Sequence, residues 1–221
     1  MMGKQAFKRA ACVGPIELRD REAMQADLAN LREAVAAHPP ADVFMNAASP
    51  GVVSAFQSNR YYPTHEAYVD AIVAAMKPEY DAIAAAGFVL QIDCPDLAMA
   101  RHTGFQELEE SEFLKRAAYQ VEALNHAVRD IPADRMRMHI CWGNYEGPHD
   151  CDIALEKVLP IVLKAKPAGI VFEAANPRHR HELEVWAAAK LPDDKVLIPG
   201  CIMSTSNYVE HPRLIAEQLC Q

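Results

Sequence analysis

Residues 136–141 read Met-Arg-Met-His-Ile-Cys, a short apolar run whose end carries two side chains that bind metals. Runs of this length, bounded by turn-forming residues, read as β-strands. The same pattern recurs along the chain in Ala11–Ile16, Val43–Ala48, Phe88–Cys94, Gly169–Ala174 and Val196–Ile202. Between these runs lie stretches of helical character at Asp20–Ala37, His65–Ala86, Glu109–Arg129, Ile153–Lys166 and Arg178–Lys190, with a last one starting at Glu210. Strands alternating with helices predict parallel pairing through right-handed crossovers. The strands are nearly all apolar, which predicts a sheet covered on both faces.

Helix punctuation agrees with this reading. Gly87 follows an alanine-rich helix as a C-terminal stop. Ser111 is a candidate cap or turn ahead of Phe113, and Pro132 blocks continuation of the same helix. The segment Met45–Tyr62, with Ser49-Pro50-Gly51 and Asn59-Arg60, reads as a long irregular loop after a strand, a frequent place for a site. Six βα units are too few for an eight-stranded barrel and enough for an open sheet, and pattern alone does not choose. Both architectures bind ligands at the C-terminal ends of their strands.

The chain has 221 residues, 51% hydrophobic and 24% charged, as in an ordinary globular domain. Its formal charge is −8 and no basic block occurs, which argues against a nucleic-acid partner. No apolar run is long enough to cross a bilayer, and no apolar signal-peptide core follows Met1–Gln5. A cytoplasmic location is therefore expected, with the six cysteines reduced rather than paired. Their reading moves to packing or to metal and thiol chemistry.

His139 and Cys141 stand at i and i+2 of one strand, so both point to one face and can reach one ion. The plainer alternative is a buried histidine beside a packed cysteine. Glu173 closes the next apolar strand and Asp93 closes the preceding one. A carboxylate at such a place is costly unless it is paired or bound to metal. For Glu173, a salt bridge to Arg178 is the simple pairing. Three successive strand ends thus offer Asp93, His139 with Cys141, and Glu173, a pocket with three candidate zinc ligands and one open position. A rival arrangement joins His139 and Cys141 to His149 and Cys151 in a closed Cys₂His₂ site. The His179/His181 pair reads as a solvated helix face, and Cys12 and Cys94 as core or pocket wall.

These residues resemble the C-terminal barrel of cobalamin-independent methionine synthases and their relatives, zinc-dependent alkyl transferases such as the epoxyalkane–coenzyme M transferases. The resemblance rests on Gln91-Ile92-Asp93-x-Pro95, His139-x-Cys141, Glu173 after its strand, Pro199-Gly200 and the run Met45–Pro50. It spans the chain from about Cys12 onward. It implies a (β/α)8 TIM-barrel type of fold, here a single partial domain over residues 1–221 that lacks the first and last strands. It implies His139, Cys141 and Glu173 as zinc ligands and Asp93 as the holder of an amino-acid thiol such as homocysteine. The implied activity is cobalamin-independent methyl or alkyl transfer to a thiol, the chemistry of methionine biosynthesis. The small-molecule partners would be that thiol and an alkyl donor. The family's second zinc-binding cysteine, in an Asp-Cys-Gly context, has no counterpart. Cys220 lacks that context, and Cys201 is a possible substitute. No histidine stands in the run Cys201–Ser206 after Pro199-Gly200, and Cys94 stands where the synthases have Glu, so a donor other than folate is favoured. The alternative is a non-catalytic remnant or subunit that binds metal or ligand without turnover. A third reading keeps a metal-free barrel resembling uroporphyrinogen decarboxylase, against which the metal-ligand set argues. Open strand edges predict self-association or a complementing chain.

Overall fold

The computed structural model describes residues 10–144, 148–203 and 206–220. Met1–Gln5, Gly147 and Ser204-Thr205 lie outside the described residues. Five strands form one parallel sheet in the order β2-β4-β5-β6-β7: β2 Phe44–Ala48, β4 Val89–Asp93, β5 Met136–Ile140, β6 Gly169–Glu173 and β7 Val196–Gly200. Two short strands, β1 Ala11–Cys12 and β3 Ser58–Asn59, pair with each other outside it. The expected first strand, Ala11–Ile16, therefore does not join the main sheet. Gly14 and Pro15 follow one residue later, and proline withholds a ladder donor.

The helices are α1 Arg21–Ala37, α2 Pro50–Phe56, α3 His65–Ala85, α4 Met99–Thr103, α5 Glu110–Ala127, α6 Leu155–Val162, α7 Leu183–Ala188 and α8 Pro212–Leu219. Helix α2 lies inside the segment expected to be irregular. Its cause is local: the Ser49 hydroxyl accepts from the Val52 N–H at 2.9 Å, and Pro50 occupies the first turn. Asp20 and Thr64 cap α1 and α3 in the same way. Ser111 does not cap α5, which begins at Glu110 without a side-chain cap. Gly87 ends α3 with φ +86°, a left-handed conformation that glycine adopts without strain.

Burial alternates along the central strands. Leu90, Ile92, Met136, Met138, Ile140, Ile170 and Phe172 are buried against the helical layer, among Tyr80, Ile83, Phe113 and Leu124. Each such apolar side chain contributes about 1.5–3 kcal/mol relative to exposure. The odd-numbered neighbours Gln91, Asp93, Arg137, His139, Val171 and Glu173 take the other face and are only half-buried. The expectation of two covered faces is thus corrected. Polar residues at alternate positions mark a one-sided sheet. Phe44 and Val196, on the edge strands, are 46% and 59% exposed on this open face. Among the described residues the sheet has β2 and β7 as edges and does not close. The architecture is α/β with a parallel sheet, consistent with part of a TIM-type barrel.

Candidate functional site

Strand register builds the site. Asp93 of β4 pairs with His139 of β5, which pairs with Val171 of β6. Two residues on, Cys141 comes level with Glu173. The open face therefore carries Asp93 beside His139 and, one step nearer the C-terminal ends, Cys141 beside Glu173. All four line one cleft of about 570 Å³, with Val52, Phe56, Met99 and Ile202 among its apolar walls. Backbone bonds beyond the strands hold its floor: Cys94 N–H donates to the His139 carbonyl at 2.8 Å, and Met99 N–H to the Cys141 carbonyl at 3.1 Å.

Two of the candidate ligands are oriented by neighbours. His139 Nδ1 lies 2.6 Å from Asp93 Oδ1. A carboxylate oxygen only accepts, so Nδ1 is the donor, and the tautomer this contact selects for a neutral ring leaves Nε2 as the nitrogen available to a metal. Glu173 accepts from the Asn176 amide at 3.1 Å, and Asn176 is buried. Metal-binding histidines and carboxylates are commonly fixed by such partners. The Arg178 salt bridge expected for Glu173 does not form; the Arg178 N–H instead donates to the Asn176 side chain. Burial pushes the Cys141 thiol up to about 11. The Gly143 N–H pulls the other way, and the Asp93 and Glu173 carboxylates add to the rise.

Among the described residues, the cleft lining includes Asp93 and Glu173 and no lysine or arginine. An acidic cleft holding a thiol and an imidazole lone pair fits a divalent cation in donor type and number. The donors do not yet converge. Of the described residues, the His/Cys/Asp/Glu groups whose atoms lie within 4.8 Å of one another are two others, and His139, Cys141 and Glu173 are not among them. Side-chain rotation would have to bring the three together.

Cys201 points away from this cleft. It lines a neighbouring pocket with Ala174, Arg180 and Leu183, while Gly200 and Ile202 on either side of it face the cleft. Alternation along an extended chain explains the difference. Cys220 is exposed at the end of α8, and Cys12 and Cys94 are buried as expected. The Cys₂His₂ alternative is not assembled, because His149 and Cys151 engage other partners.

Those partners form clusters that sequence reading missed. His149 Nδ1 lies 2.8 Å from Asp152 Oδ2, and His179 Nε2 lies 3.1 Å from the same oxygen. Glu182 faces His179 Nδ1 at 3.4 Å and accepts the Leu155 N–H at 2.9 Å. The His179 ring stacks on Trp142 at 4.4 Å. His179 is thus buried, not part of a solvated helix face; only His181 is exposed. The reason is that α7 starts at Leu183, after a single 3₁₀ turn, so His179 sits in a loop folded over Trp142. Burial opposes a charge on His179, but Asp152 and Glu182 outweigh it and raise its pKa to about 9. Burial likewise opposes ionisation of Asp152, and the two imidazoles outweigh it. A second group, His102, Asp150 and Cys151, adjoins through stacking of His102 on His149 at 5.0 Å. The only sequence signal for these clusters was the density of histidine and acid in His149–Asp152 and Arg178–Glu182.

No family model and no curated protein matches the chain. A solved structure does: a B12-independent methionine synthase from Shewanella sp. W3-18-1, in complex with selenomethionine. The TM-score is 0.67 at 19% identity, over 94% of this chain and 57% of that one. The likeness establishes a shared fold, and the chain spans little more than half of that structure's length. No helix among the described residues is long and apolar enough to cross a membrane.

Proposed function

We propose that the cleft at the ends of β4, β5 and β6 performs zinc-dependent methyl or alkyl transfer to a small thiol. The observation that carries this is the meeting of Asp93, His139, Cys141 and Glu173 in one cleft whose described lining residues include no lysine or arginine. The shared fold with a methionine synthase solved with selenomethionine supports the reaction class. His139 through Nε2, Cys141 through Sγ and Glu173 through a carboxylate oxygen would hold the ion. The chemistry such an ion supplies is a lowered thiol pKa, so that a thiolate is present at neutral pH.

The remaining work falls to the chain. Asp93 holds the His139 ring through Nδ1 and keeps its proton there. Half of the Asp93 side chain is exposed to the cleft, so the carboxylate can also receive the ammonium of an amino-acid thiol such as homocysteine. Asn176 fixes Glu173. Phe56, Met99 and Ile202 limit water around the sulfur and the incoming alkyl carbon. In the transfer the thiolate sulfur forms a bond to that carbon as the carbon's bond to the donor breaks, and the donor leaves with the electron pair.

The test is zinc content together with thiol alkylation, using homocysteine and a reactive methyl donor. The chain is expected to alkylate the thiol, and Cys141→Ser and Glu173→Gln to lose that activity together with one equivalent of bound zinc. No zinc after reconstitution would refute the proposal. The separation of the donor atoms favours one second reading, metal binding without turnover. Zinc lost in Cys141→Ser with no alkylation in the parent chain would select it.

A further inference from the structure

We infer that His149, Asp152 and His179 form a second site, for a zinc-like divalent cation, that ties the loop after β5 to the loop after β6. This inference stands apart from the proposed function and uses none of its ligands.

Geometry carries it. Donor atoms about 2.1 Å from a tetrahedral ion lie roughly 3.4 Å from one another. The present separations are 2.8 Å and 3.1 Å, and all three donors lie within 4.8 Å. The two imidazole–carboxylate separations differ from that tetrahedral value by a few tenths of an ångström, and the two imidazoles are no more than 4.8 Å apart. Both imidazoles face one oxygen, Asp152 Oδ2, while the other, Oδ1, is buried with no hydrogen-bond partner. Neither ring nitrogen of His179 makes a well-aligned hydrogen bond, although both lie near carboxylates. Side-chain exposures of 7%, 11% and 9% for His149, Asp152 and His179 make this an enclosed set rather than a surface cluster.

Charge points the same way. Asp152 and Glu182 place two carboxylates beside His179. One imidazolium leaves a buried negative charge, which is costly. A divalent cation in place of the proton would balance both. Glu182 would then hold His179 through Nδ1 while Nε2 binds, a common arrangement for a ligating histidine. Two imidazoles and a carboxylate suit zinc and its neighbours in the first transition row rather than magnesium or calcium.

The consequence is mechanical. The β5 loop begins at Cys141-Trp142, and the β6 loop begins just after Glu173. Trp142 stacks on His179 and donates its indole N–H to the Ile153 carbonyl at 2.7 Å. An ion bridging the loops would fix both walls of the cleft.

The experiment loads the metal-free full chain with zinc, removes excess, and counts bound ions in the parent, Cys141→Ser, and Cys141→Ser with His149→Gln. About one ion is expected to remain in Cys141→Ser and to be lost with His149→Gln. In Cys141→Ser carrying Trp186→Phe, zinc should change Trp142 emission, because the His179 ring stacked on it would carry the ion. This optical readout leaves His149, Asp152 and His179 intact. Cobalt in the same protein should show ligand-field bands without a thiolate charge-transfer band. A chain with Cys141→Ser that binds no zinc, retention of the ion after His149→Gln, or its loss on Cys151→Ser would each overturn the inference. An ion retained at full level in Cys141→Ser but lost with His149→Gln would sustain it while refuting the zinc ligands proposed for the cleft.

Discussion

Asp96 should make this protein lose stability as pH rises from about 4 to 7. Its carboxyl is 2% exposed and receives the Ser49 hydroxyl at 2.5 Å, beneath the first turn of α2. Burial raises its pKa from 3.8 to about 7, against the opposing pull of the Ser49 hydrogen bond. Between these values the folded chain holds a proton that the unfolded chain has released. Stability therefore falls with pH across the window, by up to about 1.4 kcal/mol per unit. The total is on the order of 4 kcal/mol. Below pH 4 both states are protonated, and above 7 both are ionised, so the dependence flattens at each end. Asp96→Asn keeps an acceptor for Ser49 and removes the titration. Urea unfolding of both proteins, followed by circular dichroism from pH 4 to 8, isolates the effect, because other titrating groups cancel in the difference. The variant should gain on the parent steadily through the window. A difference that stays flat, or that slopes the other way, would refute the assignment of a proton to Asp96.

Four further outcomes are expected. Gly87→Ala should destabilise by about 1–2 kcal/mol, because the φ of +86° and not crowding is the obstacle, and Gly87→Asn should cost less. Thermal unfolding checks both. Tyr80→Phe should cost about 1–2 kcal/mol in denaturant unfolding, since the buried Tyr80 hydroxyl donates to the Ala48 carbonyl at 2.5 Å. Asp93→Ala should weaken zinc binding at the cleft about 10–100-fold by freeing the His139 ring, measured by chelator competition. The open sheet face and its edges predict self-association, which sedimentation at rising concentration would reveal and a monomer throughout would contradict.

What was legible in the sequence followed from periodicity. Successive strand residues point to opposite faces, so His139 and Cys141 share one by spacing alone, and Asp93 and Glu173 stand out because each closes an apolar run. All four line one cleft, but their donor atoms do not converge, which depends on rotamers that spacing does not encode. Helix α2 was missed: Ser49-Pro50 is a capping pair, but the nearby Gly51 and Asn59-Arg60 led to an irregular reading. Its buried anchor, Asp96, gave no sign: three residues beyond Asp93, nothing local distinguishes an exposed acid from an enclosed one.

The loop clusters were illegible for a related reason. His149, Asp152, His179 and Glu182 obey no period, and the chain brings them together only by turning sharply after β5. Gly143 makes that turn with φ +88°, and a Cβ there would lie 2.9 Å from Met99. The turn leaves Cys141 facing the cleft, while Trp142 is buried on the other side against His179. One strand end thus sends Cys141 to the donor set on the open face of the sheet and Trp142 to the one held in the loops after β5 and β6. A change at Gly143 should therefore disturb both sets together, whereas His149→Gln and Cys141→Ser should each disturb one.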